Sequence, residues 1–367
     1  MLNELYPGAR EHVYLDVAAV GLVSTRVRDA VATVLDDHVA RGIAAGADWT
    51  AASERTRGVI AELIGGRATN VAYTQNTSTG IALVANGLDW RHGDNVVVPA
   101  DEFPSNFYPW LALRRHGVEI REVPMRAGRA ELERLAELID ARTRVVAISA
   151  VQYTSGHRYD LARIRERCGD ALLVVDGTQA AGALVIDADA DGIDALVVSA
   201  HKWMLGPFGI GFVHFSDRAM ERLNPSTTGW LSVEHPFDFD HEPRLASSAR
   251  RFESGTFNAA GIAGLDAAIS IVLELGRHTV ENIVLGNAAH LQERLTARGL
   301  QVLRSTDPDE CSGIVIFTTG DQAADAAIHA QLTESGIRCS LRKAGVRFSP
   351  HYYNTDDDLH EAVATIR

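Results

Sequence analysis

The sequence predicts an α/β protein, a mainly parallel, doubly wound sheet followed by a smaller α+β unit. Three observations lead there. Seven short apolar runs alternate with amphipathic stretches through the first two-thirds of the 367 residues, the pattern of a parallel sheet with helices on its faces. Two of the runs, Ala171-Leu-Leu-Val-Val-Asp176 and Asp194-Ala-Leu-Val-Val-Ser199, are almost continuously apolar, as strands buried on both faces are. Past Phe215 the alternation loosens, and a long helix at about 259–275 leads into a second, smaller unit.

Residues 1–15 carry no pattern that assigns them to either unit. The large unit spans 16–258. Its expected strands are Val71–Thr74, Asn95–Pro99, Val118–Val123, Arg144–Ser149, Leu172–Asp176, Ala195–Ser199 and Ile210–Phe215. Between them lie amphipathic segments such as Ser105–His116 and Glu131–Ile139, and Asn76-Thr-Ser-Thr-Gly80 opens a helix over Ser78–Leu88. Residues 224–250, rich in Pro, Ser, Thr and aromatics, read as a loop near the site. Residues 259–367 read as helix, strand, strand, helix, strand, strand, helix. There is no internal repeat.

Composition narrows the class. A hydrophobic content of 46% is globular, and no apolar run reaches the roughly 18 residues that a membrane helix needs. A net charge of −13 argues against nucleic-acid or anionic-membrane partners. The first residues lack the basic-then-apolar pattern of a signal peptide. Cys168, Cys311 and Cys339 are far apart, so neither a disulfide framework nor a zinc site is expected. A cytoplasmic location is the expectation, with no metal.

In doubly wound sheets the ligand sits at the carboxyl ends of strands. Asp176 and Ser199 fall there. Gln179 follows three positions after the acid, and Ser199-Ala-His-Lys202 closes the next strand. This is the arrangement expected around pyridoxal 5′-phosphate (PLP). Lys202 would form the Schiff base, and Asp176 would pair with the pyridinium nitrogen and keep it protonated. Gln179 can donate to the phenolate oxygen, while Ser199 and His201 flank the lysine and can donate to the phosphate. Desolvation and a neighbouring cation would free Lys202 of its proton, which makes it a nucleophile and proton shuttle. Thr77 and Ser78, at a helix N-terminus, are both ordinary caps and a phosphate cradle.

Asp176-Gly-Thr-Gln179 and Ser199-Ala-His-Lys202 resemble the signature of class V aminotransferase-fold enzymes. That group includes cysteine desulfurases, selenocysteine lyases, C–S lyases and isopenicillin-N-epimerase-like proteins. The resemblance runs from Tyr14-Leu-Asp-Val-Ala-Ala19 through Asn76-Thr-Ser-Thr-Gly80, Glu102-Phe-Pro-Ser-Asn-Phe-Tyr-Pro-Trp110 and Arg251-Phe-Glu-Ser-Gly-Thr-Phe-Asn258. It ends at Val346-Arg-Phe-Ser-Pro-His-Tyr-Tyr-Asn-Thr355. It implies the PLP-dependent transferase (aspartate aminotransferase type I) fold and a homodimer with shared active sites. It places the cofactor phosphate at Thr77 and Ser78. Phe103 stands where desulfurases have a histidine that stacks on the cofactor ring; a Phe can stack but cannot transfer protons. Gln152 falls near a cofactor oxygen and Arg347 at the substrate carboxylate, for which an arginine fork is suited. Thr256 resembles a residue that reaches the phosphate of a neighbouring subunit, and Trp230 would line the mouth of that site.

The resemblance also bears on the reaction. Desulfurases of this fold carry a nucleophilic cysteine on a loop before the carboxylate-binding arginine. Here Gly336–Arg347 is too short for such a loop, and Cys339 sits inside an expected strand, Ile337–Leu341. The expectation is β-elimination from a cysteine-derived amino acid, a small-molecule substrate. Aminotransferase, epimerase and cysteine desulfurase remain alternatives. A catalytically idle regulator of the same fold is the contrasting reading, against which Lys202, Asp176 and Arg347 argue.

Overall fold

The computed structural model describes residues 2–239, 241–242 and 244–366. Met1, Asp240, Pro243 and Arg367 belong to the expected segments 1–15, 224–250 and 259–367 and lie outside the described residues.

The seven runs form one seven-stranded sheet. Its order is Val71–Thr74, Gly211–Phe215, Ala195–Ser199, Leu172–Asp176, Thr143–Ser149, Asn95–Pro99 and Glu119–Val123. All neighbours are parallel except Gly211–Phe215, which runs antiparallel to both of its partners. Three boundaries shift by one residue from expectation. Every residue of Leu172–Asp176 and Ala195–Ser199 is buried, because the sheet is covered on both faces. One apolar cluster includes Val146, Leu173, Val175, Leu196 and Val198. The other takes the alternate residues Val145, Leu172, Val174, Ala195 and Val197, as the two-residue period of a strand requires.

The helix Thr77–Gly87 lies on one face. Asn76 caps it, accepting from the Thr79 amide at 2.9 Å. Gly80 lets it approach the sheet closely, since a Cβ there would stand 2.4 Å from a Val197 methyl. The expected helix Ser105–His116 is broken instead into the 3-10 turn Pro104–Asn106, the single turn Tyr108–Leu111 and the 3-10 stretch Ala112–His116. Pro104 and Pro109 cannot donate to a continuous ladder, and Gly117 ends the stretch in the left-handed region.

The C-terminal residues form a four-stranded antiparallel sheet ordered Gln301–Val302, Val315–Thr318, Gly345–Phe348 and Ser340–Arg342. The helices Arg277–Ala297, Gln322–Glu334 and Asp356–Thr365 pack with it through Leu291, Leu332 and Leu359. The expected strand Ile337–Leu341 is interrupted at Cys339: Ile337–Arg338 pairs in parallel with Val13–Tyr14, while Ser340–Arg342 pairs with Gly345–Phe348. The N-terminal segment therefore packs on the C-terminal side of the molecule. The Tyr6 and Tyr352 hydroxyls also bond there, and Asp16 bridges Ser349. Within 224–250 the described residues make one isolated bridge, Val233 to Leu245. Among the described residues no single helix is long and apolar enough to cross a membrane.

Candidate active site

A cavity of about 550 Å³ opens at the carboxyl ends of the central strands, within the usual range for small-molecule sites. Asp176 ends its strand and is 6% exposed. Its Oδ1 accepts from the Thr178 amide at 2.9 Å. Burial raises its pKa, against the Thr178 hydrogen bonds and the charge of Lys202. No side-chain cation forms a direct ion pair with it among the described residues, and Lys202 acts on it only from farther off across the cavity.

Ser199 ends the adjacent strand, and the helix Thr77–Gly87 begins beside it. The Thr77 amide donates to Ser199 Oγ at 2.8 Å, and Thr77 Oγ1 lies 2.8 Å from Ser199 Oγ and 2.7 Å from Thr178 Oγ1. Three hydroxyls thus converge at a helix N-terminus, a place that favours anions.

Lys202 follows on a tightly held turn. The Gly21 amide donates to the His201 carbonyl at 2.8 Å and the Leu205 amide to the Lys202 carbonyl at 2.9 Å. A Cβ at position 21 would stand 2.3 Å from that carbonyl oxygen, and Leu205 itself adopts φ +54°. Burial lowers the Lys202 pKa; Asp176 opposes this, and Arg347 and Arg342 add to it. Its Nζ lies 5.1 Å from the centre of the Phe103 ring. His201 stacks on Phe208 with centroids 4.9 Å apart, and burial, then Lys202, lowers its pKa.

Gln179 lines the cavity with its amide already engaged. Nε2 donates to the Ala18 carbonyl at 3.0 Å, and Oε1 accepts from the Trp203 indole at 2.7 Å. One amide hydrogen is left for a ligand. Arg347 is 1% exposed. One guanidinium nitrogen lies 3.4 Å from Asp16, which Ser340 Oγ holds at 2.7 Å, and the buried Nε has no partner. Burial pulls the Arg347 pKa down to about 10.

The structure thus brings Thr77, Phe103, Asp176, Gln179, Ser199, His201, Lys202 and Arg347 to one cavity. Other expected residues lie outside its lining. Gln152 is wholly buried, its Oε1 accepts from the Thr154 amide and its Nε2 has no partner. The bridge from Val151 to Arg158 folds this segment into a loop of its own, which explains why Gln152 is not in the lining. Ser78 Oγ donates to Ser105 instead, because the helix turns it away from Thr77. Trp230 packs edge-on against Phe237 and is 44% exposed, and Thr256 is exposed. Thr178, Tyr153 and Arg342 also line the cavity, although sequence reasoning does not single them out. Thr178 lies inside the Asp-Gly-Thr-Gln motif and Tyr153 beside Gln152, so both had a signal within reach.

PLP suits this donor set. The unpaired Asp176 matches a protonated ring nitrogen, the hydroxyl cluster matches a phosphate, and the part-exposed Phe103 ring offers a face.

The family model for aminotransferase class V matches residues 13–361. A probable cysteine desulfurase of Methanothermobacter thermautotrophicus is 30% identical over 383 aligned residues, which cover 96% of this chain and 93% of the relative. The cystine C–S lyase C-DES, in complex with its product cysteine persulfide, aligns with a TM-score of 0.91 at 24% identity over 98% of each chain. A lysine-to-alanine variant of C-DES with glycine covalently linked to its PLP cofactor gives 0.92 at 24% identity, over 99% of this chain and 98% of that one. At that identity the two structures speak for the fold alone.

Proposed function

The chain belongs to the class V aminotransferase family and is a PLP-dependent enzyme, and from that premise we propose that it catalyses β-elimination from a cysteine-derived amino acid without a protein thiol. One observation carries this reading. Among the described residues no cysteine lines the cavity. Cys168 and Cys311 are buried elsewhere. Burial, reinforced by Asp16, pushes the Cys339 thiol up to about 12, and a thiol held protonated is no nucleophile.

Bound PLP supplies an electron sink for the pair left on the substrate α-carbon when its proton departs. The chain does the rest. Thr77, Thr178 and Ser199 hold the phosphate, Asp176 holds the positive ring nitrogen, and Phe103 covers one ring face. Arg347 fixes the substrate carboxylate and so orients the α-hydrogen. Lys202 Nζ, whose pKa burial lowers, takes that proton. The Cβ–S bond then breaks, the electron pair leaves with sulfur, and Lys202 returns the proton to the departing thiolate. The three-carbon remnant, freed as an enamine, is hydrolysed by water to pyruvate and ammonia. Thr256, exposed and outside the cavity of its own chain, serves the cavity of a second copy in this reading.

Product analysis tests the proposal. PLP-loaded protein given cystine, S-substituted cysteines and cysteine should yield pyruvate, ammonia and the sulfur product in equal amounts. Alanine as the main carbon product would contradict it, since desulfuration leaves the α-proton and the amino group on a three-carbon amino acid.

A further inference from the structure

Arg342 carries an inference about the substrate. It lines the cavity with Arg347 yet is solvent-exposed. It makes no ion pair among the described residues, and its one protein hydrogen bond, at 3.2 Å, goes to the neighbouring Leu341 carbonyl. Most of a five-donor fork is therefore free. The hairpin explains its position. Ser340 is paired with Arg347 and Arg342 with Gly345, so the two arginines stand diagonally on one face, with Cα atoms about 7–8 Å apart. Gly345 opposes Arg342 without a side chain. Two guanidinium groups thus serve one cavity, and one fork is enough to hold an α-carboxylate in two bonds. Tyr153 stands near, and Arg342 opposes the rise that burial imposes on its pKa.

We propose that Arg342 binds an acid group on the sulfur substituent, so that the preferred substrates are cysteine S-conjugates whose leaving group is anionic. The proposal rests on the elimination reading for the fate of the substrate, but not for its binding. A compact point charge would not serve equally well, because a planar fork matches a carboxylate in two bonds.

The test uses two nearly isosteric ligands, S-carboxymethylcysteine and S-carbamoylmethylcysteine, with PLP-loaded wild type and Arg342→Gln. Calorimetric titration gives the affinity ratio, and pyruvate is measured in parallel. Wild type should favour the acid by about two- to fivefold, a modest factor because Arg342 is exposed to solvent. Arg342→Gln should bring the ratio to about one through loss of affinity for the acid. Equal affinities in wild type, or a preference that survives in Arg342→Gln, would overturn the proposal. So would an equal loss for both ligands, which would assign Arg342 to the α-carboxylate alongside Arg347. The expected change in ratio without pyruvate supports Arg342 and defeats only the elimination reading.

Discussion

The indole N–H of Trp203 donates to the Gln179 amide oxygen at 2.7 Å, so the residue after Lys202 fixes the orientation of an amide that faces the same cavity. The Trp203 carbonyl in turn accepts from His351 Nε2 at 2.9 Å. The turn that presents the lysine and the amide that lines the cavity form one unit.

Trp203→Phe should therefore destabilise the protein by about 2–4 kcal/mol, from an unsatisfied buried oxygen and vacated space. Urea unfolding measures it. A loss below about 0.5 kcal/mol would show that Gln179 finds another donor at no cost.

A second expectation concerns pH. Glu102 accepts from the Ser149 amide at 2.8 Å and its hydroxyl at 2.7 Å, and burial pushes its pKa up from 4.5 to about 7. A carboxyl whose folded pKa is raised contributes stability that is present below pH 4.5 and lost as pH rises to about 7. The loss amounts to about 3 kcal/mol, at about 1.36 kcal/mol for each pH unit. Glu102→Gln in the cofactor-free protein should flatten the stability profile between pH 4.5 and 7. An unchanged slope would show that Glu102 is ionised throughout. Lys202, with its pKa lowered by burial, has the opposite sign: its contribution rises with pH until the unfolded lysine has also lost its proton.

The shared-site reading predicts complementation. Lys202→Ala and Thr256→Ala proteins, each inactive or weak, should regain activity when mixed. A mixed dimer has one site with both residues intact, so full exchange of equal amounts gives roughly a quarter of wild-type turnover. No rescue after confirmed subunit exchange would place both residues in one chain's site or make the protein a monomer.

The strands were legible because a strand buried on both faces reads as an unbroken apolar run bounded by an acid or a serine, as at Leu172–Asp176 and Ala195–Ser199. The Asp176, Gln179 and Lys202 set was legible because its members stand at successive strand ends. What stayed hidden depends on distant partners. Val13–Tyr14 pairs with Ile337–Arg338, and nothing near residue 13 announces that partner. The 104–116 segment has an amphipathic pattern that its two prolines override. Arg342 escaped because a charged residue in a hairpin turn looks like ordinary surface; only the register with Gly345 and Arg347 brings it to the cavity. A strand end suggests a side chain aimed at the ligand, but at Gln152 the loop that follows turns the side chain into the protein.

The most direct test of elimination without a protein thiol is the product yield of Cys339→Ser with a cleavable S-substituted cysteine. The account predicts pyruvate formation within about twofold of wild type, because that thiol stays protonated and outside the cavity. A well-folded Cys339→Ser protein that loses turnover by about a hundredfold or more, with wild type releasing alanine and carrying persulfide on Cys339, would contradict it.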